Sequence, residues 1–181
     1  MSGEKKRTVL LGLVFLFFLL LAYVENTSFF NYIRDSFTNL PLGVMLVFIH
    51  NVLAVSLIIL GMAFYVEVVL TFMPKRKIEY VVLDNPEVFA AVFAVMILLI
   101  SILRASTLVR GQVEMSTLAM VVLLSLPAGL VEGCGIYQAI KKTLKKTLQT
   151  RDLAIIYAIF FVAAVVEVGF VQALLWISTS W

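Results

Sequence analysis

The chain has 181 residues, of which 62% are hydrophobic and only 14% charged, with a formal net charge of +3. Typical soluble domains carry about 25% charged residues, so the composition excludes an ordinary soluble globular domain. The modest basic excess is what topology-setting lysines and arginines near a bilayer produce, so no nucleic-acid partner is expected.

Only helices and closed barrels satisfy their backbone in lipid. The apolar runs are too long for barrel strands and do not alternate, which leaves an all-α, polytopic transmembrane helical bundle. One cysteine, Cys134, rules out an internal disulfide.

In chain order, Lys5, Lys6 and Arg7 precede an apolar run that makes the first span, over 8–24. It is longer than most signal-peptide cores, and Leu20-Leu21-Ala22 is a poor small-residue cleavage site, so the span is read as retained. Residues 25–40 form a polar connector in which Phe29, Phe30, Ile33 and Phe37 recur at helical spacing, as in a segment lying along the interface.

The second apolar run, 41–73, is 33 residues long. A straight helix of that length measures roughly 50 Å against a hydrocarbon core of about 30 Å. The helix is therefore tilted, partly in the headgroups, or broken, with His50-Asn51 and Gly61 as the break points. Pro41 suits the first helical turn, where its missing N–H is harmless.

A loop over 74–87 carries Lys75, Arg76 and Lys77, and 88–103 is the third span. A short turn over 104–114 leads to the fourth span, 115–140. A strongly basic connector, 141–152, precedes the fifth, 153–180. About five spans thus fill a single membrane domain, 1–181. With the N-terminus inside and the C-terminus outside, eleven of the fourteen lysines and arginines are cytoplasmic, as the positive-inside rule requires.

Ionisable residues inside apolar spans are costly and mark functional sites by default. The inventory is His50, Glu67, Glu132 and Glu167, with Asn51 and Gln172 as uncharged partners. Glu132 sits in the most unusual stretch, which runs from Leu126 through Pro127, Gly129, Gly133 and Cys134 to Gly135.

On a helix, Ser125, Ala128, Gly129, Gly135 and Ala139 share the face of Glu132, and all are small. That face is expected to meet protein rather than lipid. Gly129 and Gly133 form a G-x-x-x-G pair, which lets backbones approach closely and suits self-association as a homodimer. Pro127 frees the carbonyl of Leu123, so a bend or junction is expected there.

Two readings follow for Glu132: the broken-helix ion site of a transporter, or a hydrogen-bonded carboxyl in a kinked helix. Glu167, mid-span behind Ala163 and Ala164, should also face inward. Glu67 lies near the cytoplasmic end, where it reaches the headgroups easily. His50, Glu132 and Glu167 make a metal or proton-relay set only if their helices converge. No spacing of the H-E-x-x-H kind, nucleophile motif or phosphate loop occurs, so no cofactor is required and enzymatic activity is not expected.

Three stretches in order resemble the stage II sporulation protein M family: Ile49-His50-Asn51-Val52-Leu53-Ala54, Pro127-Ala128-Gly129-Leu130-Val131-Glu132, and Val165-Val166-Glu167-Val168-Gly169-Phe170. The resemblance covers roughly 37–181 and rests on the combination. The family's motif histidine is Ala128 here, and its paired asparagines read His50-Asn51. The resemblance implies a polytopic membrane protein that, in spore formers, serves a complex remodelling the cell wall during engulfment.

The expected function is therefore a multi-pass protein of the cell membrane acting as a scaffold or subunit of a membrane complex. Its expected partners are the lipid bilayer and other membrane subunits or a second copy. The alternative is a small-solute or ion permease lined by His50, Asn51, Glu132 and Glu167. An intramembrane metal-dependent enzyme ranks well below both.

Overall fold

The structure, a computed structural model, describes the backbone over 39–72, 77–110 and 115–179 and at the single positions 24, 28 and 36. The expected first span and the connector after it fall outside these residues, apart from those positions. Among the described residues the chain is helical and has no strand. Its elements are α1 (Leu40–Phe72), α2 (Lys77–Asp84), α3 (Pro86–Arg110), α4 (Met115–Leu144) and α5 (Thr150–Thr179).

α1 starts where Asn39 caps it. The Asn39 carbonyl accepts the Gly43 N–H at 2.9 Å and its Oδ1 accepts the Leu42 N–H at 3.3 Å, while Pro41 sits in the first turn. The helix then runs unbroken for 33 residues. Neither proposed break point acts, because His50, Asn51 and Gly61 all keep their backbone N–H, and glycine in a helix costs only about 1 kcal/mol against alanine.

The loop expected over 74–87 is corrected: 77–84 form α2 and α3 begins at Pro86. Val82 and Leu83 pack on the core while Val81 and Asp84 stay exposed, so a helical pattern was present in a stretch that reads as basic and polar. Asn85 separates the two helices. Its N–H donates to the Val81 carbonyl at 3.1 Å and its own carbonyl accepts the Phe89 N–H at 3.1 Å, which both ends α2 and starts α3. Pro86 at the first helical position fits this junction, since proline is pre-organised there and disfavours helix in the residue before it.

α4 continues helically through Pro127. It closes in a paired reverse turn: Lys146 N–H donates to the Thr143 carbonyl at 3.0 Å, and Thr147 N–H to the Lys142 carbonyl at 2.9 Å. Lys146 has φ 54°, in the left-handed position that glycine usually takes at a helix end. α5 follows at once. Asp152 Oδ2 accepts the Gln149 N–H at 3.1 Å, and the Gln149 carbonyl accepts the Leu153 N–H at 3.1 Å. An acidic side chain in the first turn also complements the helix dipole.

So tight a connector makes α4 and α5 antiparallel neighbours. Gly135 on α4 lies against Phe160 and Ile159 on α5, and Gly129 against Leu98 on α3. α1 packs on α4 and α5. Val55 and Val66 from α1, Ala90 and Ala94 from α3, Ile136 and Ile140 from α4, and Ile156 and Phe160 from α5 form one buried cluster. A second cluster joins Val47 of α1 to Ala164 and Val168 of α5, and beside it the Phe48 and Phe161 rings meet edge-on at 5.4 Å.

These contacts put the C-terminal end of α1, all of α2, the start of α3 and the α4–α5 connector at one end of the bundle. Among the described residues, two helices are long and apolar enough to cross a membrane, over Leu40–Val68 and Thr150–Gln172. Pro86–Leu99 is a shorter apolar stretch.

Candidate functional site

Two of the polar residues singled out in the apolar helices, Asn51 and Glu132, meet directly. Asn51 Nδ2 on α1 donates to Glu132 Oε1 on α4 at 2.9 Å, and both residues are buried, at 5% and 6% exposed. Helical spacing explains what surrounds them. One turn either side of Asn51 stand Val47 and Val55, and one turn either side of Glu132 stand Ala128 and Ile136, all buried. The polar pair is thus flanked, one turn away along both helices, by buried apolar residues.

The small face expected around Glu132 is interior: Ala128, Gly129, Gly135 and Ala139 are buried and Ser125 is half-buried. Its glycines serve different neighbours. A Cβ on Gly129 would stand 2.5 Å from Leu98 Cδ1, and one on Gly135 would stand 2.8 Å from Phe160 Cε2. A Cβ on Gly133 would meet nothing within 4 Å among the described residues.

Of the G-x-x-x-G pair, Gly129 packs against Leu98 of α3 within the chain, while Gly133 has no such neighbour among the described residues. Pro127 and Cys134 are exposed beside this face.

Glu167 is half-buried on α5, with its Oε2 enclosed. Since Gly135 meets Phe160, the antiparallel register sets Glu132 level with Ala163. Glu167 then lies four residues, about 6 Å, farther along the bundle axis. His50 is buried next to Asn51. Among the described residues no three His, Cys, Asp or Glu side chains are placed to hold a metal ion. The conditional set of His50, Glu132 and Glu167 is not gathered into a ligand group. Glu67 is exposed, as its place near the helix end requires.

Two further features went unread in the sequence. Ser56 Oγ donates to the Val52 carbonyl at 2.6 Å and lies 3.0 Å from the Tyr157 hydroxyl, tying α1 to α5. Serine and tyrosine are common enough in apolar helices that only the pairing of the helices could have singled them out.

The second feature is the ion pairing at the basic end. Glu87 Oε1 lies 3.1 Å from Lys141 Nζ and 2.8 Å from Lys145 Nζ, and Lys142 Nζ lies 2.6 Å from Asp152 Oδ1. The hydrogen bond from Lys145, then that from Lys141, holds the Glu87 carboxyl down at about 2. Lys141 is correspondingly raised, first by Glu87, and it also lies 5.4 Å from the centre of the Tyr137 ring. A glutamate one residue after a helix-starting proline, opposite a basic connector, was the available signal.

Compared with protein-family models, with curated proteins and with solved structures, the chain matches none.

Proposed function

We propose that this chain is a multi-pass helical protein of the cell membrane that acts as a scaffold or subunit of a membrane complex. The Asn51–Glu132 pair holds its first long helix in place. The observation that carries the reading is that buried pair, flanked one turn away on both helices by buried apolar residues. A buried, satisfied polar pair specifies one helix register.

Membrane insertion is supported by the exposed surface. Met45, Ile49, Leu53, Leu57, Leu60 and Phe64 recur along α1 and are each 48–70% exposed. Only 28% of each of the two long apolar windows is buried, far less than in the core helix of a soluble protein. Tyr65, Tyr80, Tyr137 and Tyr157 are half-buried toward the basic end, as in the aromatic belt of an interface. The basic connector and the start of α2 lie at one end, which fits a cytoplasmic N-terminus and an external C-terminus. The motif resemblance to the stage II sporulation protein M family agrees with a non-catalytic membrane role.

The permease reading keeps one specific support: Glu132 and Glu167 stand in neighbouring layers of the same helical packing, as a cation path would use them. Ion flux in liposomes separates the two. The scaffold reading expects no proton, sodium or potassium flux above empty vesicles, with Glu132→Gln leaving the protein assembled. Wild-type flux that collapses on Glu132→Gln and Glu167→Gln would assign the permease instead.

A further inference from the structure

We infer that the α4–α5 connector is a contact surface for anionic lipid headgroups, made by Lys146 and Arg151. The inference rests on the membrane reading above. From Lys141 to Asp152 the chain carries five cations and one acid. The internal ion pairs divide those cations into two kinds. Lys141, Lys142 and Lys145 are turned onto Glu87 and Asp152, where they fasten α4 to α3 and α5. Lys146 and Arg151 enter none of these pairs, and both are exposed.

Their placement is fixed by the fold. Lys146 occupies the left-handed position of the α4 closing turn, held by the Thr143 and Lys142 carbonyls. Arg151 lies in the first turn of α5, one residue before the Asp152 that anchors that turn. The exposed hydroxyl-bearing Thr147 and Thr150 lie between them in sequence.

The connector also lies at the end of the bundle where the apolar windows of α1 and α5 terminate, which on the membrane reading is the depth of the lipid phosphates. A juxtamembrane cluster of this size attracts anionic lipid through charge that falls off within a Debye length. An anionic headgroup therefore complements the cations left outside the internal pairs. A zwitterionic headgroup adds a positive charge that they repel.

The test uses the full chain in bilayers of phosphatidylcholine, with trace spin-labelled phosphatidylglycerol or spin-labelled phosphatidylcholine reporting lipid held at the protein surface. Wild type is expected to hold phosphatidylglycerol in preference. Lys146→Gln and Arg151→Gln each reduce that preference about fivefold, and the Lys146→Arg/Arg151→Lys double variant keeps it. Equal retention of the two lipids by wild type, or a preference unchanged in Lys146→Gln/Arg151→Gln, would overturn the inference. So would loss of the preference in inorganic phosphate but not in chloride of equal ionic strength, which would mark a free-phosphate site. Protein washed off membranes by alkaline carbonate would overturn the membrane reading itself, and this inference with it.

Discussion

Two acids in this chain each accept hydrogen bonds from a neighbouring helix, and they work in opposite surroundings. Glu132 is 6% exposed and takes an amide hydrogen from Asn51 inside an apolar seam. Glu87 is exposed at the basic end and takes two ammonium groups. The bonds at Glu87 are charged and as short, yet solvent and salt screen them, so they contribute little to stability. The neutral donor at Glu132 matters more, because removing it leaves a buried carboxyl with less hydrogen bonding in a medium that offers no water. Surroundings, more than bond chemistry, rank the two contacts.

The largest effect should follow from Asn51→Leu. It removes the donor and puts an apolar residue in the seam, and should cost about 1–3 kcal/mol in reversible unfolding from detergent micelles. Glu132→Gln retains an acceptor for Asn51 and should cost less than about 1 kcal/mol. If the two variants were equally stable to wild type, the seam would not depend on the pair.

The next largest effect concerns the glycines. At Gly135→Ala the new Cβ meets the Phe160 ring, a rigid group, and the crowding should cost about 1–3 kcal/mol, partly offset by alanine's helix preference of about 1 kcal/mol. Gly133→Ala meets nothing among the described residues and should be neutral or stabilising by up to about 1 kcal/mol. The same thermal melt on both variants checks the contrast, which reversal of their order would break.

The smallest effect lies at Glu87. Its folded carboxyl is lowered from an ordinary 4.5 to about 2, so its contribution is complete above pH 4.5 and is lost as pH falls toward 2. The stability difference between wild type and Glu87→Gln should therefore be flat at neutral pH, shrink below pH 4.5, and diminish in high salt. A difference that grew on acidification would reverse the assignment.

Much of this arrangement was legible in local spacing. The helical repeat alone placed Ala128, Gly129, Gly135 and Ala139 on the face of Glu132, and that face is interior, because 3.6-residue periodicity is a property of one helix. What lies across from the face is not local. Asn51 is 81 residues away in sequence, so its pairing with Glu132 depends on how α1 docks.

The same limit explains the glycines. Gly129 and Gly133 are indistinguishable by spacing, yet among the described residues only Gly129 has a side chain, Leu98, within 4 Å of its Cβ position. The long 41–73 run suggested a break that α1 does not have, since length against the bilayer permits tilt as readily as a kink. α2 was hidden because basic residues drew the segment toward a loop reading. Its Val82 and Leu83 carried the weaker, correct signal.

The central claim is that Asn51 and Glu132 act as one unit that locks α1 onto α4. The most direct test is a double-mutant cycle of Asn51→Ala and Glu132→Ala, measured by reversible unfolding of the full chain. The account predicts a coupling of about 0.6–1.7 kcal/mol, from the average to the maximum of double-mutant cycles on interhelical hydrogen bonds in a membrane protein. Costs that simply add, within about 0.3–0.5 kcal/mol, would contradict it.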